Sequence, residues 1–156
     1  MRKLIPGKLI ITSIAFILIL YSCSTGSCYE NTESFIKASF YNYKTQKLQA
    51  PDSVTIYGLN MDNDLLYDRA RGLQPALIPL NPETVSSTFI VMINGVTDTV
   101  EFRYSSYPHL LSKECGFTYY HKLDTDRLFT KNVIINMYIG NRNITTVNEE
   151  NIRIFY

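Results

Sequence analysis

From about residue 35 onward, apolar and polar residues alternate with a period of two, in short runs separated by turn-forming residues. That is the pattern of strands with one buried face. Across Phe35 to Tyr43, Ile36, Ala38 and Phe40 share one face and Lys37, Ser39 and Tyr41 the other. A second strand is expected over Ser53 to Leu59, where Val54 and Ile56 oppose Thr55 and Tyr57. The sharpest local signal is Asn94-Gly95 between two apolar runs, the preferred two-residue hairpin turn. Pairing outward from it sets Ile93 opposite Val96, Val91 opposite Asp98 and Phe89 opposite Val100, with Phe102 and Tyr104 continuing the same face. A slip of one residue would turn all of them outward. Asp98 is the one polar residue on that apolar face, and it is expected at a wet end near the turn.

Further strands are expected over Cys115 to Leu123, Asn132 to Ile139 and Asn151 to Tyr156, with a short one at Ile144 to Val147. The Leu77-Ile78-Pro79-Leu80 piece belongs on a sheet edge, because Pro79 lacks a ladder donor. Asn60 to Gln74 carries no alternation and reads as a long loop, at most with one helical turn. Ser105 to Ser112 holds Pro108 and reads as a connection. About seven strands and no convincing helix in this region predict an all-β fold. The expected form is an antiparallel β-sandwich, immunoglobulin-like or transthyretin-like, over residues 35–156; a small open β-barrel is the alternative.

The N-terminus follows a different rule. Arg2, Lys3 and Lys8 precede an apolar run from Leu9 to Leu20 broken only by Thr12 and Ser13. The run is shorter than the ~20 residues of a spanning helix and matches the apolar centre of an export signal. It ends at Leu20-Tyr21-Ser22-Cys23, which resembles the lipobox of bacterial lipoproteins, although Tyr21 is bulky for its slot. The resemblance implies a signal helix over residues 1–22 that is removed, and a diacylglyceryl group on the Cys23 sulfur. An uncleaved anchor helix or an ordinary secreted chain are the alternatives. Residues 23–34 are small and polar and are expected to form a short tether.

Removing 1–22 leaves 134 residues, enough for one core. The leader holds three basic residues and no acid, so the mature chain has 12 Lys+Arg against 14 Asp+Glu, a net charge of −2. No basic patch points to nucleic acid. Twelve Tyr, eight Phe and no Trp suit pleated surfaces. With Cys23 acylated, Cys28 and Cys115 form an even pair in an oxidising compartment and are expected to be bridged; two free thiols are the alternative.

Candidate chemistry is sparse, and the chain is expected to be neither an enzyme nor a holder of a cofactor or metal. Cys115 and His121 are six apart on one strand, about 20 Å, too far for a thiol–imidazole pair. Asp62, Asp64 and Asp68 crowd one loop but lack the glycine and terminal glutamate of a helix-loop-helix calcium site, so a solvated acidic loop is expected. Tyr41, Tyr43, Tyr119 and Tyr120, with Tyr57, are candidates for a flat ligand surface for sugar rings or a protein; covering half-exposed strand faces is the plainer reading. Asp52-Ser53-Val54 and Asp98-Thr99-Val100 resemble the O-glycosylation signal of the Bacteroidota envelope, which makes Ser53 and Thr99 candidate acceptors.

The lipobox, the nearby Cys28, Ile78-Pro79-Leu80-Asn81, the Phe-rich hairpin, Leu111-Ser112-Lys113-Glu114-Cys115-Gly116-Phe117 and the closing Glu150-Asn151-Ile152-Arg153-Ile154 together resemble a family of uncharacterised Bacteroidota lipoproteins with a domain of unknown function. The resemblance implies a membrane-anchored envelope protein that works with an outer-membrane β-barrel protein. Surface-exported members resemble one another in acidic residues just after the cysteine. Ser24-Thr25-Gly26-Ser27 has none, so the periplasmic face of the outer membrane is expected. A non-enzymatic protein-docking module is the expected function, and a glycan-binding module is the alternative.

Overall fold

The computed structural model describes residues 27–126 and 128–156; the expected signal peptide and Cys23 lie outside them. Eleven strands occur among the described residues: β1 (Ile36–Tyr41), β2 (Val54–Gly58), β3 (Leu65–Ala70), β4 (Ala76–Ile78), β5 (Ser86–Ile93), β6 (Val96–Ser112), β7 (Gly116–Leu123), β8 (Leu128–Phe129), β9 (Asn136–Ile139), β10 (Asn143–Ile144) and β11 (Ile152–Phe155). They form two sheets. The smaller runs β4-β1-β11-β9, the larger β10-β7-β6-β5-β2-β3, with β8 also on β6. Neither sheet closes into a barrel. The fold is an all-β sandwich, as the alternation requires. It has more strands than the seven expected, most of the extra ones short, and one parallel pair, β1 with β11.

The core is one cluster shared by both sheets. Ile36, Ala38 and Phe40 from β1 and Ile152 and Ile154 from β11 meet Val54, Ile56, Val91, Ile93 and Val100 of the larger sheet. Each fully buried aliphatic or aromatic side chain contributes roughly 1.5–3 kcal/mol. The Asn94-Gly95 hairpin has the expected register, Ile93 on Val96, Val91 on Asp98 and Phe89 on Val100. Both turn residues take positive φ, 51° and 84°, which is why Asn-Gly is required there.

Three expectations are corrected. The 60–74 loop contains strand β3. It is the outermost strand of the larger sheet, is largely exposed, and shifts register twice against β2. With neither face fully buried, no alternation marks it. Ser105–Ser112 is no connection but the second half of the 17-residue β6. Past Arg103, among the described residues, the only strand paired with it is β7, so Pro108 costs no ladder bond on the open side. Finally, the strand expected over 132–139 begins only at Asn136. The backbone N–H groups of Asn132, Val133 and Ile134 donate instead to the carboxylate of Asp98.

Asp98 is therefore not at a wet end. It is 1% exposed, and Thr130 Oγ1 donates to it as well, at 2.5 Å. Burial alone would raise its pKa; the donors from Ile134, Thr130, Asn132 and Val133 outweigh that and hold it below the ordinary carboxylate value. Buried Asn151 is a second polar tie. Its side chain accepts from the Lys37 N–H at 2.9 Å and donates to the carbonyls of Asn143 and Asn141, joining β1 to the segment carrying β10.

Candidate functional site

Beyond the Ser106–His121 pair, where β10 still pairs with β7, β6 and β7 leave the core and continue as a two-stranded arm, paired from Tyr107 on Tyr120 to Ser112 on Gly116. Gly116, at φ 73°, closes the turn, and the Ser112 hydroxyl accepts from the Cys115 N–H at 3.0 Å. Cys115 at this tip is bridged to Cys28, 87 positions earlier. The chain after Cys28 then runs beside β7 toward the body. Thr118 Oγ1 donates to the Thr32 carbonyl at 2.6 Å, and the Ser34 hydroxyl donates to the Tyr119 carbonyl. Residues 28–34, expected as part of a short tether stiffened by a bridged Cys28, are thus a strap fastened along the arm at three points. The strap covers the Tyr119 carbonyl on a side of β7 where, among the described residues, no strand pairs, a common way to blunt an exposed sheet edge.

The five tyrosines that were candidates for one surface are separated, and Tyr57 lies on β2 of the larger sheet. Tyr119 and Tyr120 lie on opposite faces of β7, while Tyr41 lies in the smaller sheet and Tyr43 just beyond its β1. Tyr120 stacks on His109, with ring centroids 4.2 Å apart, and Tyr107 meets it edge-on. Tyr119 shares the other face of the arm with Phe117, Pro108 and Leu110. His121, further along β7, is buried. Its Nδ1 lies 2.8 Å from the Ser106 hydroxyl, and desolvation lowers its pKa.

Tyr41 belongs to a cluster on the outer face of the smaller sheet that residue patterning missed. Its ring lies 5.3 Å from that of Phe155, and the Arg153 guanidinium sits 5.4 Å above it. Its hydroxyl donates to Glu150 at 2.9 Å, and Arg153 Nε donates to the same carboxylate at 2.5 Å. Burial pushes the Glu150 pKa up, but hydrogen bonds from Arg153, Tyr41 and Ser39 pull it down further, so the net shift is downward. Tyr138, half exposed, faces Arg153 across the β11–β9 ladder. The signal was present in the sequence: Arg153 and Phe155 alternate with the buried Ile152 and Ile154, so they had to share the outer face.

A half-open groove of 540 Å³ lies where β3, the β4–β5 connection and the start of β5 meet. Leu59, Met61, Leu66, Leu80 and Phe89 line it. The buried Tyr104 hydroxyl stiffens its wall by donating to the Asn81 carbonyl at 2.8 Å while contacting Ser87 and Thr84. The groove adjoins the unpaired outer side of β3. Sheet order puts it at the opposite edge from β7 and β10.

Of the candidate acceptors, Ser53 precedes β2 beside the exposed Asp52, and its N–H donates to the Asn94 side chain. Thr99 lies inside the β5–β6 ladder, next to the buried Asp98. Among the described residues no three His, Cys, Asp or Glu gather as a metal site; Asp62 and Asp64 stay in the turn and Asp68 moves onto β3.

No curated protein and no solved structure matches the chain. Residues 53–156, which span β2 to β11, match the model of the Family of unknown function (DUF6452), and the chain belongs to that family.

Proposed function

We propose that the protein is a lipoprotein of the bacterial cell envelope, anchored through Cys23. Its sandwich serves as a non-enzymatic docking module for a protein partner at the periplasmic face of the outer membrane, a β-barrel protein of that membrane being the expected class. The observation that carries the docking role is the open outer side of β3 beside the apolar groove of Leu59, Met61 and Leu66. An unpaired strand offers main-chain hydrogen bonds to an added strand, and neighbouring pockets supply specificity. This surface lies across the larger sheet from the strap that leads back to Cys23, so an anchored domain turns it away from its own tether.

A photo-crosslinker placed at Leu66 in cells should trap one discrete protein adduct that is absent when the crosslinker is placed at Val96. A smear, or no adduct, counts against docking there. The anchor is tested separately: radiolabelled palmitate should enter the wild-type protein and not Cys23→Ser.

A second reading, glycan binding, is favoured by the outer face of the smaller sheet. There Tyr138 and Phe155 offer ring faces beside the Arg153–Glu150 pair, the mixture of stacking and polar groups that sugars need. Glycan-array binding lost on Tyr138→Ala would support it, and a blank array would reject it.

A further inference from the structure

The arm carries the most exposed apolar surface near the strap, and nothing among the described residues covers it. Phe117 is 72% exposed, its cross-strand partner Leu110 51%, and Tyr119 on the same face 48%. Tyr29, next to the bridged Cys28, is 92% exposed. Lone exposed apolar residues are ordinary, but here they gather around one tip. The length of chain leading to that tip limits what they can meet. Cys28 is five positions after Cys23, and a fully extended chain over those five steps spans at most roughly 18 Å. The Cys28–Cys115 bond passes this limit directly to the turn of the arm. Lys113 and Glu114 precede Cys115 and Glu30 follows Tyr29, so the tip carries a net charge of −1, which opposes anionic lipid and leaves a neutral bilayer surface as the better match.

The geometry points to the β6–β7 tip as a membrane-contact element: Phe117, Leu110, Tyr119 and Tyr29 rest in the headgroup–acyl boundary of the bilayer that holds the lipidated Cys23. The inference rests on the anchor reading given above. Aromatic residues with one polar end favour that boundary. The acyl chains supply the affinity; the tip adds a second contact point, which fixes how the sandwich stands on the membrane. Without the disulfide the strap would hold the tip only through its two hydrogen bonds, and the sandwich would swing on a longer leash.

The protein contains no tryptophan, so a single introduced indole reports one position. Full-length Phe117→Trp and Val96→Trp proteins are purified from membranes after palmitate labelling and reconstituted in phosphatidylcholine vesicles with or without brominated acyl chains. Val96 lies at the far end of the same strand, roughly 50 Å from the tip. Brominated lipid should quench the Phe117→Trp indole about threefold or more over the Val96→Trp indole, with a blue-shifted emission, as burial at the boundary requires. With Cys28→Ser and Cys115→Ser added, that excess should fall markedly. A labelled protein whose two indoles are quenched equally overturns the membrane-contact tip and leaves the anchor standing. Undiminished excess quenching in the double serine variant overturns the role of the strap. Absence of label on Cys23 removes the anchor and the tip contact together.

Discussion

One strand joins two very different regions. From Val96 to Tyr104, β6 lies between β5 and β7 or β8, and its alternate residues Asp98, Val100, Phe102 and Tyr104 are all buried. From Ser105 to Ser112 the same strand has β7 alone, and its larger side chains, Tyr107 and Leu110, are about half exposed. The backbone geometry is continuous; what changes is the number of covering layers. Strand formation needs ladder partners, whereas stability needs a second sheet, and the arm has the first without the second. It is held instead by a covalent bond and a strap.

The contrast can be broken most directly by truncating an aromatic on each side of Tyr104. Phe102→Ala should cost about 3–5 kcal/mol in denaturant unfolding, since it empties a filled core position. A loss below about 1 kcal/mol would mean that the body is not the part that carries the fold. Asp98→Asn should cost somewhat less, about 2–4 kcal/mol, because the amide keeps one acceptor but meets buried donors with its own N–H groups. An unchanged midpoint would dismiss Asp98 as the organiser of the 130–134 loop.

Acid should loosen the body in two stages. Burial lowers the folded pKa of His121 below 6.5, so the unfolded chain takes up its proton first; the stability present above that pH is lost as pH falls toward the folded value. Asp98, held below 3.8 by its donors, contributes stability present above that pH and lost as it falls further. His121→Gln should flatten the first stage and leave the second; a curve that keeps both would refute the assignment. The smallest effect belongs to the arm: Phe117→Ser should shift unfolding by less than about 0.5 kcal/mol. A larger loss would show that the arm packs against something in the sandwich after all.

What could be read from the sequence divides along the same line. Where two sheets enclose a strand, burial writes the period-two code, and β1, β2, β5, the first half of β6 and β11 were legible with their faces. The Asn94-Gly95 turn fixed a register correct to the residue. β3 and the second half of β6 wrote no such code, because water faces them on both sides, whereas β7 was legible from the alternation of Phe117, Tyr119, His121 and Leu123. Asp98 was noticed as a misfit but misplaced: a carboxylate on a core face stands either at the solvent or under a loop of donors, and alternation does not distinguish the two. The outer cluster of Tyr41, Glu150, Arg153 and Phe155 spans more than a hundred residues of chain and comes together only through the parallel β1–β11 pairing. Local pattern carries no sign of that pairing. The Cys28–Cys115 bridge was legible by counting; that it would tie down a strap was not.

The bridge also decides how a mechanical load would travel. A pull on the chain ahead of Cys28 divides there, part entering the hairpin turn through sulfur and part the peptide that follows. The share entering the turn draws β6 and β7 together along their own axes. The hydrogen bonds between β6 and β5 lie across that axis, so the eight paired positions from Ser86 to Ile93 are strained at once and not peeled one at a time. A domain tugged by its leash would therefore resist in shear, the direction in which a sheet yields last.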